Sequence, residues 1–145
     1  MRTGWLATVV LELRVMAREY KSLMDEHFNR VHVEVTLARP TMGPPVVLAV
    51  SAICFWEIAM LVKSGRLGLA MPTSEWHRGS LNLGILEAPV TGQIGILAEE
   101  SAGLPGDSAD RIITATAIVL NATLLTADQR ILNWPVNLTR FDARD

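Results

Sequence analysis

The chain has 145 residues, half of them hydrophobic and 19% charged, with a formal net charge of −2 at pH 7. That length suits one ordinary domain able to bury a core without disulfide or metal staples, and the composition excludes a disordered chain. The near-neutral balance excludes a global electrostatic footprint for nucleic acid, so any RNA contact must rest on local Arg and Lys residues and on bound cations. The single Cys54 stands in an apolar run and cannot pair within the chain, which fits a small buried hydrophobe in a reducing, cytoplasmic compartment.

The first forty residues carry weak signals. Val9 to Met24 has mixed helical periodicity interrupted by Arg14, Arg18, Glu19 and Lys21, and His32 to Leu37 alternates as a strand would. The apolar run from Trp5 to Val10 is broken by Glu12 and Arg14 before any cleavage site, so no signal peptide is expected. The longest apolar stretch, Pro44 to Val62, carries Glu57 as its one charge. Pro44 and Pro45 oppose a membrane-spanning helix there, Val46, Val47 and Val50 suit a strand, and Ser51 offers a helix cap halfway along. A strand over Val46 to Val50, a helix over Ala52 to Ser64 and a stop at Gly65 follow, with no membrane span. Thr73 caps a short helix through Trp76 and Leu81 that Gly84 ends, and Ile85 to Val90 reads as a strand. Thr91 caps a helix over Gly92 to Ala102, with Ile94, Leu97 and Ala98 on one face, and Gly103 to Gly106 makes a loop. Asp107 and Asp110 open the next helix, and Asn121 takes the left-handed conformation that ends it. Ala122 to Thr126 is a short apolar strand, Gln129 to Asn133 a helical turn and Val136 to Phe141 a last strand. Strands interleaved with helices imply an α/β fold with a mainly parallel sheet.

The stretch PGDSADRIITATAIVLNATLLTAD, from Pro105 to Asp128, resembles the C-terminal half of PIN-domain ribonucleases, in particular the VapC-type toxins of bacterial toxin–antitoxin pairs. Their D-x-x-D-R-x-I-x-A-T-A block is matched by Asp107, Asp110, Arg111, Ile113, Ala115, Thr116 and Ala117. Their L-x-T-x-D is matched by Leu124, Thr126 and Asp128. The resemblance extends over about residues 43–141 and includes V-S-A-I-x-x-W-E-I-A from Val50 to Ala59. It implies a PIN-like three-layer α/β/α fold with a mainly parallel central sheet, preceded by an atypical segment over residues 1–42. Family members begin with an apolar strand ending in Leu-Asp-Thr-His or similar, whose Asp is the first metal-site acid. The nearest match here is Leu23-Met24-Asp25-Glu26-His27, displaced from the start, so Asp25 competes with a lost or rearranged first strand.

Several residues carry the chemistry, each with a plainer alternative. Glu57 has apolar neighbours on every side of a helix, and a buried carboxylate must acquire a cation, hydrogen bonds or a proton; a structural buried acid is the alternative. Asp107 reads as a helix N-cap, Asp110 as a first-turn acid facing the helix dipole, and Asp128 as the cap of the helix at Gln129. Jointly, Glu57, Asp110 and Asp128 each lie near a junction at the expected carboxyl edge of the sheet. Carboxylates meeting there repel by up to about 4 kcal/mol per pair at 4 Å and an effective dielectric of 20. Oxygen ligands without a Cys or His cluster point to Mg²⁺ or Mn²⁺ rather than zinc. The resemblance makes Glu57, Asp110, Asp128 and Asp25 the metal-holding acids, with Thr126 orienting a carboxylate or water and Asp107 in support. Thr126 can equally satisfy its own backbone, and Arg111 can contact phosphate or pair with Asp107. The same resemblance implies a Mg²⁺-dependent endoribonuclease toxin, a homodimer neutralised by a VapB-like antitoxin. The rival is a catalytically silent PIN-like interaction module that has lost the first acid.

Overall fold

The computed structural model describes residues 7–11, 46–82, 84–126 and 128–142, with side chains described from Ala49 onward. Five strands form one sheet: β1 (Ala7–Leu11), β2 (Val46–Ser51), β3 (Leu86–Ala88), β4 (Thr123–Thr126) and β5 (Arg140–Asp142). The order is β3-β2-β1-β4-β5, and every pairing is parallel. Helices α1 (Ala52–Lys63), α2 (Thr73–Asn82), α3 (Gly92–Glu100), α4 (Ser108–Val119) and α5 (Gln129–Leu132) supply the crossovers from β2 through β3 and β4 to β5. The architecture is the expected three-layer α/β/α fold.

Local chemistry explains most boundaries. Ser51 caps α1 by accepting from the Ile53 N–H at 3.4 Å, and Gly65, at φ 72°, ends it. Thr91 caps α3 by accepting from the Ile94 N–H at 3.3 Å. Asn121 takes φ 48° after α4, the left-handed stop its short polar side chain tolerates. The main core draws Ala49 and Val50 from β2, Cys54 and Ile58 from α1, Trp76 from α2, Ile113 and Ala117 from α4, Leu124 from β4 and Ile131 from α5. Each fully buried Ile or Leu there contributes about 1.5–3 kcal/mol of transfer free energy. A second cluster packs Ile94 and Ala98 of α3 on Ala115 of α4, whose small side chain lets the helices approach closely.

Two expectations are corrected. The helical periodicity from Val9 misreads Val9 to Leu11, which lie in β1, the middle strand of the sheet, in register with Val46–Ala49 on one side and Thr123–Leu125 on the other. A central parallel strand is buried on both faces, so it reads as a continuous apolar run with no period to detect. Residues 7–11 of the expected N-terminal segment are therefore part of the same sheet. The last strand begins at Arg140 rather than Val136, because Val136 N–H donates to Trp134 O at 2.8 Å and Leu138 N–H to Val136 O at 2.9 Å. Those tight turns are pinned by the Arg140 guanidinium, which donates to the carbonyls of Ile131, Trp134 and Val136.

Candidate functional site

The sheet order places a topological switch beside β1. Its partner on one side, β2, follows it in the chain, while β4 on the other side arrives after α1 to α4 have been laid down. In open parallel sheets ligands bind outside the carboxyl ends of the strands at such a switch. Two of the acids singled out in the sequence flank β4: Asp110 in the first turn of α4, and Asp128 two residues past the strand's end.

Asp110 is 2% exposed and is fixed by a capping box. The Asp110 N–H donates to Asp107 Oδ1 at 3.0 Å, and the Asp107 N–H donates to Asp110 Oδ2 at 3.2 Å. Its side chain lies against Gly106, which holds φ 98°; a Cβ there would stand 2.5 Å from Asp110 Cβ and 2.8 Å from Oδ2. A side chain at 106 is thus excluded both by the backbone conformation and by the carboxylate. Thr114 Oγ1 donates to Asp110 O at 2.9 Å, which satisfies a buried hydroxyl within the helix.

Asp128 is held from two directions. Its backbone N–H donates to Thr126 Oγ1 at 3.1 Å, and its Oδ1 accepts from the Arg130 N–H at 2.8 Å as the cap of α5. Thr126 is fully buried, so its hydroxyl fixes the backbone that presents Asp128. The Arg130 guanidinium then joins the two acids. Nε donates to both Asp128 oxygens, at 3.1 and 3.2 Å, and Nη2 reaches Asp128 Oδ2 and lies 3.9 Å from Asp110 Oδ2. The hydrogen bond Arg130 donates to Asp128, then the charge of that carboxylate, and behind them the charges of Asp110 and Asp107 raise the Arg130 pKa above its ordinary range.

No family model matches the chain. Over 85 residues it is 36% identical to Ribonuclease VapC22 of Mycobacterium tuberculosis, a match spanning 58% of this chain and 65% of that protein's length. Among solved structures it is similar to VapBC-1 from nontypeable Haemophilus influenzae, with a TM-score of 0.63 at 18% identity over 95% of this chain and 99% of that one. It is also similar to VapBC2 from Rickettsia felis bound to a promoter DNA fragment, with a TM-score of 0.60 at 17% identity over 92% and 97%. FitAcB from Neisseria gonorrhoeae gives 0.58 at 19% identity over 94% and 98%.

The fold is that of a VapC-type PIN domain.

In this PIN fold the remaining sequence candidates take different places. Glu57 lies in the second turn of α1, partly buried rather than enclosed, between the exposed Trp56 and the buried Ile58. Arg111 pairs neither with Asp107 nor with a free site; its Nη2 donates to Glu99 Oε1 and ties α4 to α3. Asp107 is the cap the sequence suggested. Away from these candidates, His77 shares a hydrogen bond with Glu87 at 3.2 Å that joins α2 to β3, and Trp76 is a core residue. Asp25 lies outside the described residues. Arg130 was missed because a lone Arg in a short polar turn reads as a solvated surface charge; its spacing of two from Asp128, across a helix cap, was the available signal.

The oxygen donors at this edge of the sheet suit a divalent cation only in part. Among the described residues, no group of three or more His, Cys, Asp and Glu side chains gathers closely enough to hold a metal. Asp110 and Asp128 do converge on one cationic group, so the pair already holds a positive charge between oxygen donors. Mg²⁺ is commonly held by one or two carboxylates and otherwise by water and substrate phosphate, and a two-carboxylate set fits that habit. Among the described residues no helix is long and apolar enough to cross a membrane.

Proposed function

We propose that this protein is a Mg²⁺- or Mn²⁺-dependent endoribonuclease of the VapC type, paired in the cytoplasm with a VapB-like antitoxin and acting as a homodimer. The observation that carries the reading is the convergence of Asp110 and Asp128 on a single cation at the carboxyl edge of a parallel sheet, beside its topological switch. The ribonuclease relative supports the chemistry, and the toxin–antitoxin complexes of the same fold support the partner.

Asp110 and Asp128 would hold the cation, with Glu57 in the second turn of α1 as the further acid that the resemblance adds. When bound, the cation supplies charge neutralisation at the phosphodiester and activation of water. The chain itself fixes the donors: the capping box immobilises Asp110, while Thr126 and the α5 cap immobilise Asp128. Such fixation keeps a reacting phosphate and water in one geometry, where misplacement by about 1 Å can cost on the order of a hundredfold in rate. The acid expected from the central strand is better sought at Glu12 than at Asp25. β1 ends at Leu11, in register with Leu125, and Glu12 is the next residue in the chain, although it lies outside the described residues.

Purified protein is expected to cleave RNA with Mg²⁺ or Mn²⁺, to stop in EDTA, and to lose cleavage with folding intact on Asp110→Asn or Glu57→Gln. Cleavage that continues unchanged in chelator rejects the mechanism. A second reading, a catalytically silent PIN-like module that retains antitoxin binding, is favoured by the lack of a three-acid group among the described residues. Antitoxin binding without cleavage under any cation would select it.

A further inference from the structure

Among the described residues, Arg130 is a charge at the site that the proposed chemistry does not use. Its side chain is 59% exposed, and a free arginine at such a surface would be hydrated and mobile. Here it is committed. Nε meets both oxygens of Asp128, Nη2 meets Oδ2, and the same Nη2 faces Asp110 Oδ2 at 3.9 Å. This fork approaches the carboxylate along its lone pairs, the same directions a metal ion would use. Asp128 Oδ1 also holds the Arg130 backbone N–H, and Asp110 Oδ2 holds the Asp107 N–H. The guanidinium takes lone pairs on both Asp128 oxygens, and a lone pair that accepts one of its N–H groups cannot serve a metal ion as well.

On the reading that Asp110 and Asp128 hold a divalent cation, we infer that Arg130 is a resident counter-charge that competes with that cation for the carboxylate pair. In the cation-free protein it neutralises the two acids and keeps α5 and the start of α4 together. Binding of the cation displaces it into solvent, which its exposure and its position in a four-residue helix permit. The device makes the site stable without metal and lowers its affinity for metal by the same interaction, a reciprocity that linkage requires.

The test uses the full chain as wild type, Arg130→Gln and Arg130→Lys, with Mn²⁺ binding followed by the EPR signal of the free ion and thermal unfolding followed with and without saturating Mn²⁺. The Arg130 backbone N–H still caps α5 in both variants. Arg130→Gln is expected to bind Mn²⁺ roughly fivefold tighter, the scale of one exposed ion pair removed from competition. It should melt lower than wild type without the ion and gain more from adding it. Arg130→Lys keeps a charge but not the fork, and should also bind tighter than wild type by a smaller factor; it carries the test if the glutamine variant does not fold. Mn²⁺ binding by wild type that is unchanged or weakened in both variants overturns this inference and leaves the metal site standing. Absence of Mn²⁺ binding by wild type and variants alike overturns both.

Discussion

Replacing Gly106 by Ala probes how Asp110 is positioned, because the new methyl group lands on its side chain. Gly106 holds φ 98°, a region that costs an L-residue about 1–2 kcal/mol. The added Cβ would sit 2.5 Å from Asp110 Cβ and 2.8 Å from its Oδ2. Asp110 Cβ cannot rotate away, since it is bonded to the helix backbone, so either the loop or the first turn of α4 must shift. Overpacking of that kind costs about 1–3 kcal/mol. The expected total is about 3 kcal/mol, which for a domain of this size lowers the melting temperature by roughly 10 °C. Circular dichroism through thermal and urea unfolding measures this, and Mn²⁺ binding should weaken with it because the carboxylate is the group displaced. Gly95→Ala provides the control: nothing lies within 4 Å of its added Cβ, and inside α3 the same change should stabilise by about 0.5–1 kcal/mol. A Gly106→Ala protein as stable as wild type would refute the reasoning.

Asp107→Ala removes the acceptor for the Asp110 N–H and should cost about 1 kcal/mol as a lost cap. The backbone bond from Asp107 N–H to Asp110 Oδ2 remains, so Mn²⁺ affinity should stay near wild type, and its loss would make Asp107 part of the site. Glu12→Gln and Asp25→Asn separate the two positions for the acid of the central strand: the first should abolish RNA cleavage with the fold retained, and the second should leave cleavage near wild type. The reverse pattern would restore Asp25.

From residue 46 onward the elements were legible because each boundary has its own local chemistry: Ser51, Thr91, Asp107 and Asp128 as caps, Gly65, Gly84 and Asn121 as stops. Asp110 and Asp128 were legible as a pair for the same reason, since both stand at caps flanking one strand. What stayed hidden depends on contacts distant in sequence. β1 offers only Ala7–Leu11, and its identity as a strand comes from pairing with β2 and β4 rather than from a pattern of its own. The false start of the last strand at Val136 has a similar origin, in the Arg140 clamp on three carbonyls. Glu57 shows the limit of hydropathy: apolar neighbours in sequence suggested enclosure, yet Trp56 and Met60 beside it face outward at 57% and 42% exposure.

The central position of β1 also sets a timetable for synthesis. Val9 is paired with Thr123, so the strand made near the beginning of the chain waits for one made near residue 123 before both its edges are closed. At roughly 5–20 residues per second on the ribosome, that interval is on the order of ten seconds, and pairings so distant in sequence close slowly once the chain is free. Asp110 and Asp128 bracket that late strand. A nascent chain therefore cannot bring Asp110 and Asp128 together until β4 and the turn that follows it have been made.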